Sequence, residues 1–329
     1  MEKTITTIGI LGFGNVGRGV LKAVEQASDM EMGAIFTRRP KAVREELGPG
    51  TFVFEPESAF QHQGGRINVM ILCGGSKEDL PTQGPKFAKR FNTVDSFDTH
   101  KNIPDYFEKM SILSKEAGKV SVISAGWDPG IFSLQRVLGD AFLPENKNYT
   151  FWGRGVSQGH SDAVRKIKGV VDARQYTIPV TESVEMVKKG ETPVFTKGRM
   201  HKRLVYVVIA EGEDKKRIEK EIVTMPNYFD EYPTEVVFIS SEEMKADHNS
   251  YPHGGFVFTS GKTGDNKEIL EFSCSLESNP EFTGSVLVAC ARAAAKLNKQ
   301  GEKGTFTMLD IPPTYYSAHP YSKLLKEFT

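Results

Sequence analysis

The residues that most clearly suggest chemistry are the glycines of Gly12-Phe13-Gly14-Asn15-Val16-Gly17. A short apolar run enters this motif, and apolar residues at helical spacing begin inside it. Between a strand and a helix, the first glycine permits a tight turn, the second lets a pyrophosphate approach the backbone, and the third allows close helix packing. The free N–H groups of the helix N-terminus favour an anion. The motif predicts a dinucleotide site, the alternative being an ordinary Gly-rich turn.

The residues after the second apolar run bear on the choice of cofactor. An NAD enzyme usually carries an acidic residue there for the ribose 2′-hydroxyl, but this chain has Thr37, Arg38 and Arg39. Guanidinium groups bind a 2′-phosphate bidentately, and no carboxylate stands among them to repel it. These residues predict a preference for NADP. The alternative is a solvated basic turn on the surface.

Small and acidic residues follow the later apolar runs of this region. Residues 67–72 end in Cys73-Gly74-Gly75-Ser76, where glycines would let the backbone approach the nicotinamide ribose. Asp95 and Asp98 stand at the end of another run, and we count Asp95 among the cofactor contacts. Asp98 and Asp128 are candidates for ligand contact, because the carboxyl ends of parallel strands border the ligand crevice. A helix cap or a turn remains an equal alternative for each of them.

The elements that position these residues alternate between strand and helix. This alternation predicts a doubly wound, Rossmann-like α/β domain over residues 1–125. Beyond residue 130 the chain becomes strand-rich, which predicts a second α+β domain over residues 126–299 with a mostly antiparallel sheet. A long helix is predicted over residues 282–298, inside that domain. The tail, residues 300–329, is expected to return to the first domain with a strand over 305–311.

Composition narrows the classes of function. The 329 residues include 42 basic and 42 acidic ones, so the net charge is zero. This charge balance does not indicate binding to nucleic acid or to an anionic membrane. The chain shows no membrane-spanning stretch and no signal peptide, so we expect a cytoplasmic protein with a small-molecule partner. Three separated cysteines and seven scattered histidines predict neither a disulfide framework nor a metal site. Nucleophile motifs and internal repeats are also missing.

One block of the second region carries a family resemblance. It runs Phe151-Trp152-Gly153-Arg154-Gly155-Val156-Ser157-Gln158-Gly159-His160-Ser161-Asp162, with Trp127-Asp128-Pro129-Gly130 before it and Pro252-His253-Gly254-Gly255 after it. With the dinucleotide motif and Ser278-Asn279-Pro280, these blocks closely resemble the meso-diaminopimelate D-dehydrogenases over most of the chain.

The resemblance implies NADP-dependent, reversible oxidative deamination of meso-2,6-diaminopimelate at its D-centre. The products are L-2-amino-6-oxopimelate, ammonia and NADPH, in lysine and peptidoglycan precursor metabolism. It also implies a homodimer, with substrate binding and dimerisation in the second domain. Within the Trp152–Gly155 loop the chain carries Arg154 where some relatives have proline, and the role of this arginine is open.

The resemblance further implies a set of substrate contacts. A diamino diacid carries two ammonium and two carboxylate groups, so its site must present both signs of charge. The implied residues are Asp98, Trp127, Asp128, Trp152, Ser157, Gln158, Gly159, Thr177, Arg203, His253 and Asn279. Spacing alone favours other interpretations of two of them, because Arg203 follows two basic residues on a strand and Trp152 suits a core. Asp98 or Asp128 is the candidate catalytic proton acceptor.

Two other functions compete with this one. A dihydrodipicolinate reductase-like enzyme also joins a dinucleotide domain to a mixed sheet, although the block from Trp152 to Asp162 argues against it. A non-catalytic NADP sensor would use its second domain to contact a partner. Turnover of an amino acid, with formation of NADPH, discriminates between the enzyme and the sensor.

Overall fold

A computed structural model describes residues 5–62 and 67–329, which divide into two compact units. Unit 1 contains the described residues up to Leu134 together with Pro280–Thr329, and unit 2 is Gln135–Asn279. The strands of unit 1 are β1 (Thr6–Leu11), β2 (Met30–Phe36), β3 (Val53–Phe54), β4 (Val69–Leu72), β5 (Asn92–Asp95), β6 (Val120–Val122) and β14 (Gly304–Phe306). Its helices are α1 (Asn15–Glu25), α2 (Pro40–Leu47), α3 (Ser58–His62), α4 (Leu80–Ala88), α5 (Ile103–Glu116), α12 (Asn279–Lys299), α13 (Pro313–Tyr316) and α14 (Tyr321–Phe328), with a 3-10 turn at His100–Asn102.

The seven strands of unit 1 form one parallel sheet in the order β14-β6-β5-β4-β1-β2-β3. Strands such as β4, Val-Met-Ile-Leu, are buried along their whole length, as expected for a sheet covered by helices on both faces. The strand order reverses between β1 and β4, and the carboxyl ends of two such strands border a ligand crevice. The predicted Rossmann-like fold is confirmed.

The long helix α12 lies in unit 1, not in the second domain where we predicted it. Leu287, Cys290 and Ala294 are fully buried in the same apolar cluster as Ile8 and Ile10 of β1. The helix approaches α1 closely, since a Cβ on Gly19 would meet the backbone at the start of α12. The unit boundaries therefore fall after residues 134 and 279, whereas we predicted them after residues 125 and 299. Helical spacing revealed the helix but not which core its apolar face joins.

The tail returns to the sheet of unit 1, but by a shorter strand than predicted. β14 pairs in parallel with β6 through Gly304, Thr305 and Phe306 only. Residues 307–311 form a turn, in which the side chain of Asp310 accepts hydrogen bonds from the backbone N–H and the hydroxyl of Thr307. This local hydrogen bonding competes with a strand ladder and ends it.

Unit 2 contains two sheets rather than the single one predicted, and they are mostly antiparallel. Its strands are β7 (Glu145–Trp152), β8 (Gly155–Val156), β9 (Val170–Pro179), β10 (His201–Ile209), β11 (Thr234–Phe238), β12 (His253–Thr263) and β13 (Asn266–Leu276). Its helices are α7 (Gln158–Arg165), α8 (Thr181–Lys188), α9 (Lys197–Met200), α10 (Lys215–Val223) and α11 (Ser241–Asp247), and α6 (Ile131–Phe142) crosses the unit boundary. The sheet orders are β11-β10-β9-β8, in which only β10 and β11 are parallel, and β13-β12-β7.

Candidate functional site

The glycine motif of unit 1 is built as the sequence predicts. Gly12 has a φ of +92°, a backbone conformation that favours glycine, and a Cβ there would meet the carbonyl of Cys73 at 3.2 Å. A Cβ on Gly17 would collide with the Gly12 carbonyl oxygen, so this glycine lets α1 pack against the turn. Gly14, in contrast, has no heavy atom within 4 Å of its Cβ position. Open space thus remains in front of the middle glycine.

The N-terminus of α1 faces that space with unsatisfied donors. Gly14 is the N-cap residue, so no side chain caps the helix, and the first turn contains no acidic residue. Asn15 is exposed and Phe13 is buried beneath the turn, while Val16 packs against the core. Free backbone N–H groups and the positive end of the helix dipole favour an anion here.

The basic residues after β2 surround the same motif. Arg39 is exposed and its Nη2 donates to the Phe13 carbonyl oxygen at 3.5 Å. The side chain of Arg38 is 78% exposed and its Nη1 lies 3.3 Å from Oδ1 of Asp79. The hydroxyl of Thr37 is buried and accepts from the Arg39 backbone N–H at 3.3 Å. These three residues keep two guanidinium groups beside the glycine turn, and Arg38 already has a carboxylate partner.

The turn after β4 lies against the first one. A Cβ on Gly74 would collide with the side chain of Asp79, and the Gly75 backbone N–H donates to Asp79 Oδ2 at 2.9 Å. Burial raises the pKa of the Cys73 thiol well above its usual range, so this cysteine is a neutral thiol and not a nucleophile. Ser76 Oγ accepts from the Asp98 backbone N–H at 2.8 Å. The turn is therefore shaped by its neighbours and fixes the backbone at Asp98.

Asp95 has a different role from the cofactor contact that we predicted for it. Its side chain is fully buried, and its Oδ1 accepts from the backbone N–H groups of Phe97 at 3.0 Å and Ser124 at 3.2 Å. Its Oδ2 accepts from the Tyr106 hydroxyl at 2.8 Å. Burial raises the pKa of this carboxyl to about 6 despite these three donors. Asp95 thus joins the ends of β5 and β6 and has no exposed atom with which to reach a ligand.

The other predicted site residues of unit 1 follow those two strand ends. Asp98 is exposed and Asp128 is partly exposed. Trp127 is 8% exposed and packs edge-on against Phe132, with ring centroids 5.1 Å apart. Both aspartates therefore keep some solvent-exposed surface, and the Trp127 indole packs against the start of α6.

In unit 2, two predicted substrate residues lie along one row of the first sheet, and a third, His253 of the other sheet, lies beside the end of that row. The register pairs Gly155 with Thr177 and Thr177 with Arg203. A Cβ on Gly155 would collide with the His253 ring. The row thus brings together Thr177, Arg203 and His253, which lie far apart in the sequence.

Arg203 is the least expected member of this row, because it is a buried cation. Only 8% of it is exposed, and its guanidinium lies 4.0 Å from the centroid of the Tyr232 ring. Its Nη1 donates to Thr177 Oγ1, while its Nε is buried and makes no hydrogen bond within the described residues. No carboxylate of the described chain pairs with it. The alternative of a solvated strand face is therefore wrong for Arg203.

Thr177 complements that guanidinium. Its Oγ1 accepts from Arg203 Nη1 and, at 3.4 Å, from Gln175 Nε2. A hydroxyl that already accepts two hydrogen bonds directs its own proton to a third group. Burial lowers the pKa of Arg203, but a guanidinium stays charged in proteins. The pair therefore offers an anion a buried positive charge and one unsatisfied donor, Arg203 Nε.

Trp152 is not the core residue that spacing suggested, since 36% of it is exposed. Its indole stacks on the ring of His201 with centroids 5.2 Å apart and planes inclined by 24°. The Trp152 backbone N–H donates to His201 Nε2 at 2.8 Å. Neither His201 nor Tyr232 is among the site residues predicted from the sequence. Strand alternation was the available signal for His201, because residues 201 and 203 share one face of β10.

The remaining predicted residues surround the row at chain turns. Ser157 is the N-cap of α7, with Gln158 and Gly159 exposed in its first turn. His253 Nδ1 lies 2.8 Å from the Gly254 backbone nitrogen. The Asn279 backbone N–H donates to the Tyr251 carbonyl at 2.9 Å, which fixes the last residue of unit 2.

Arg154 points away from this row. Its guanidinium lies 5.4 Å from the centroid of the Tyr176 ring. Tyr176 precedes Thr177 on β9, so the two side chains occupy opposite faces of the sheet. The Tyr176 hydroxyl lies 2.9 Å from Nδ1 of His248. The Arg154 guanidinium therefore lies in an aromatic cluster with Tyr176 and His248, on the face of the sheet opposite Thr177.

Two classes of feature are absent from residues 5–62 and 67–329. No helix in this part of the chain is long and apolar enough to cross a bilayer. The same residues contain no group of three or more histidine, cysteine or acidic side chains arranged to hold a metal ion.

Comparisons with known proteins all identify the same enzyme family. Residues 126–278 match the family model described as the diaminopimelic acid dehydrogenase C-terminal domain. The meso-diaminopimelate D-dehydrogenase of Lysinibacillus sphaericus is 55% identical over 97% of this chain and 98% of its own length. The enzyme of Corynebacterium glutamicum is 41% identical over 97% of both chains.

Solved structures give the same result. The fold superposes on Corynebacterium glutamicum DAP dehydrogenase in complex with DAP with a TM-score of 0.92 and 40% identity, covering 99% of this chain and 100% of that one. An engineered D-amino acid dehydrogenase bound to NADP+ gives a TM-score of 0.88 and 39% identity, with the same coverage of both chains.

Proposed function

The chain belongs to the meso-diaminopimelate D-dehydrogenase family and is an NADP-dependent oxidoreductase, and on that premise we propose how its residues share the reaction. The reaction is the reversible oxidative deamination of meso-2,6-diaminopimelate at its D-centre. With NADP+ and water it gives L-2-amino-6-oxopimelate, ammonia, NADPH and a proton. A relative 55% identical over 97% of the chain supports this assignment over a reductase of the same pathway or a non-catalytic sensor.

Unit 1 holds the cofactor in this proposal. The open space before Gly14 and the uncapped N-terminus of α1 suit the pyrophosphate. Arg38 and Arg39 suit a 2′-phosphate, with Thr37 fixing their turn. The turn from Cys73 to Ser76 lies against the glycine motif and suits the ribose next to the nicotinamide. When bound, NADP+ supplies the acceptor for the hydride that leaves the D-carbon.

Unit 2 holds the L-configured end of the substrate. The observation that carries this step is the Arg203 guanidinium, which is buried without a carboxylate partner among the described residues and has an unsatisfied Nε. Burying a charge in this way is costly unless a counter-ion binds. A substrate carboxylate supplies that counter-ion, and the Thr177 hydroxyl donates to it. Asn279 offers both donors and acceptors to the adjacent ammonium and carboxylate groups.

The D-centre is assigned to residues that reach solvent in unit 1 and to the walls of the site. Asp98 or Asp128 accepts the ammonium proton, directly or through water, before the hydride leaves. Trp127 and Trp152 limit access of water and present apolar walls. The segment Ser157-Gln158-Gly159 offers polar groups and the free N–H donors of the α7 N-terminus to the carboxylate. His253, beside β8, completes the set.

We further propose that the protein is a cytoplasmic homodimer and that unit 2 provides the contact. β13 is an edge strand of eleven residues with Ile269 and Leu270 exposed. Together with Leu138 and Phe142 of α6 they border a groove of about 320 Å³. Long exposed apolar edge strands are normally covered. We propose that a second copy of this chain covers this groove and the edge of β13.

The proposed function is tested by NADPH formation with the separate stereoisomers of diaminopimelate. The meso isomer should be oxidised, while the L,L isomer, which lacks a D-centre, should not. Asp98→Asn and Asp128→Asn keep the shape of the side chain but remove its charge. The variant that lacks the proton acceptor should lose most of its kcat, while its KM for NADP is unchanged. Equal turnover of both stereoisomers, or of neither with NADP bound, contradicts the assignment.

A further inference from the structure

The contact between His201 and Trp152 has no part in the reaction described above. Residues 201 and 203 point from the same buried face of β10, so the strand presents an imidazole next to the carboxylate-binding Arg203. The imidazole is 3% exposed. It is the acceptor for the Trp152 backbone N–H, where β7 ends, and its ring lies under the indole.

The hydrogen bond defines the state of the imidazole. A Nε2 that accepts a backbone N–H carries no proton, so the neutral ring has its proton on Nδ1. Burial, together with the charge of Arg203, lowers the pKa of His201 to about 3. Its neutral form therefore predominates near neutral pH, where Nε2 remains available as an acceptor.

Trp152 depends on this contact more than a core tryptophan would. Its side chain is 36% exposed, so surrounding atoms restrain it on only part of its surface. Two restraints come from His201, because the hydrogen bond fixes the main chain of Trp152 and the stacked ring fixes the plane of its indole. The next residue, Gly153, has a φ of +113° and no side chain with which to add a further restraint.

We propose that His201 is a positioning residue that sets the orientation of the Trp152 indole, so that β10 fixes both the carboxylate-binding group and the apolar wall of the substrate site. This inference rests on the proposed role of Trp152 in binding diaminopimelate. The hydrogen-bond acceptor and the ring face contribute separately, and different substitutions remove them one at a time.

Three substitutions separate the two contributions. His201→Gln places an amide oxygen near the position of Nε2 and removes the ring. His201→Phe keeps a ring and removes the acceptor. His201→Asn removes the ring and is too short to reach the Trp152 N–H, so it replaces the phenylalanine variant if that one does not fold. His248→Asn is the control, since this histidine contacts Tyr176 and Tyr206 instead.

Kinetics give the first measurement. We expect the KM for diaminopimelate to rise about tenfold or more in His201→Phe and in His201→Asn, with kcat changed less and the KM for NADP unchanged. His201→Gln should lie within about threefold of the parent value, because its amide oxygen replaces the acceptor. A lost hydrogen bond to a buried group has an effect of this order.

Fluorescence gives a second measurement that does not need turnover. The chain has only two tryptophans, so in a Trp127→Phe background the emission reports Trp152 alone. Iodide quenching of that emission should increase in His201→Phe and in His201→Gln, which each lose one contribution, should increase most in His201→Asn, which loses both, and should stay near the parent value in His248→Asn. If the parent protein does not oxidise diaminopimelate, the proposed function fails while the quenching result still tests the contact. Equal quenching and equal KM in all variants, or a matching rise in the KM for NADP, overturns the proposal.

Discussion

In the proposed function, the two units bind anions through different kinds of group. In unit 1, the proposed phosphate site consists of backbone N–H groups at the start of α1 and of two exposed arginines. In unit 2, the proposed carboxylate site depends on a single side chain, Arg203, which is buried and lacks a partner carboxylate among the described residues. The groups of the first site are exposed to solvent, whereas the charge of the second is buried.

This difference has consequences for energy and selectivity. A donor exposed to water exchanges a hydrogen bond to water for one to the ligand, so each such donor contributes only modestly to the free energy of binding. A desolvated cation destabilises the free protein and gains strongly when a counter-ion arrives. Selection between the two ends of a nearly symmetric diamino diacid needs the second kind of site, because only a fixed charge at one distance decides which carbon is presented for oxidation.

The largest expected effect follows from removing that fixed charge. Arg203→Ala should lower kcat/KM for diaminopimelate by about 2–5 kcal/mol, or roughly 30-fold to several thousand-fold. The KM for NADP should change little. Arg203→Lys should recover only part of the loss, because an ammonium is a point charge and not a planar fork. Steady-state kinetics with each substrate varied in turn measure both quantities.

The neighbouring Lys202 provides the matched control for this experiment. It is exposed on the opposite face of β10, so Lys202→Ala should leave both constants near their parent values. The free Arg203→Ala protein should be at least as stable to heat as the parent, since an unpaired buried charge is gone. Normal kcat/KM in both Arg203 variants would show that the guanidinium has a structural role and does not bind the L-configured end of the substrate.

A smaller effect is expected from the hydrated site. Replacing Arg38 and Arg39 together by serine should remove most of the preference for NADP over NAD, measured as the ratio of kcat/KM values. Charge-assisted hydrogen bonds contribute about 1.5–3 kcal/mol each, but both arginines are exposed, so a loss of roughly 10- to 100-fold is expected. Raising the salt concentration should reduce the preference of the parent protein as well. Equal use of NAD and NADP by the unmodified protein contradicts the assignment of these arginines.

The sequence predicted unit 1 better than unit 2, for a physical reason. Parallel strands buried on both faces are continuous apolar runs, and the glycine motif marks the first turn by itself. The assignment of α12 was wrong because its apolar face could pack on either core, and periodicity does not specify a partner. The tail strand was too long because the side chain of Asp310 closes a turn after Phe306.

The predicted residues of the candidate site came from two different sources. Asp98 and Asp128 were predicted because the carboxyl ends of parallel strands border a ligand crevice. The same reasoning also selected Asp95, whose carboxylate already accepts hydrogen bonds from three donors of the protein itself. Thr177 and Arg203 came from resemblance, since register between distant strands is not visible in spacing. The contacts of His201 and Tyr232 were missed for that same reason. What such residues contact depends on which strands become neighbours.

The smallest expected effect concerns one buried titratable group in each unit. The folded pKa of Asp95 is raised from 3.8 to about 6, so between these values the folded protein binds more protons than the unfolded chain. Its contribution to stability is therefore lost as pH rises through that window. The folded pKa of His201 is lowered from 6.5 to about 3, so between these values the unfolded chain binds more protons. Its contribution is lost as pH falls.

These two groups thus give opposite slopes of stability against pH in overlapping windows. Asp95→Asn should steepen the loss of stability on acidification from about pH 6 to 4, because the opposing contribution is removed, and His201→Gln should flatten it. One pKa unit corresponds to about 1.4 kcal/mol, and with relaxation of both sites we expect changes of roughly 1 kcal/mol over this range. Urea unfolding at about pH 4, 5, 6 and 7, followed in the parent and both variants, measures the slopes. If both substitutions change the slope in the same direction, the opposite burial effects assigned to the two units are wrong.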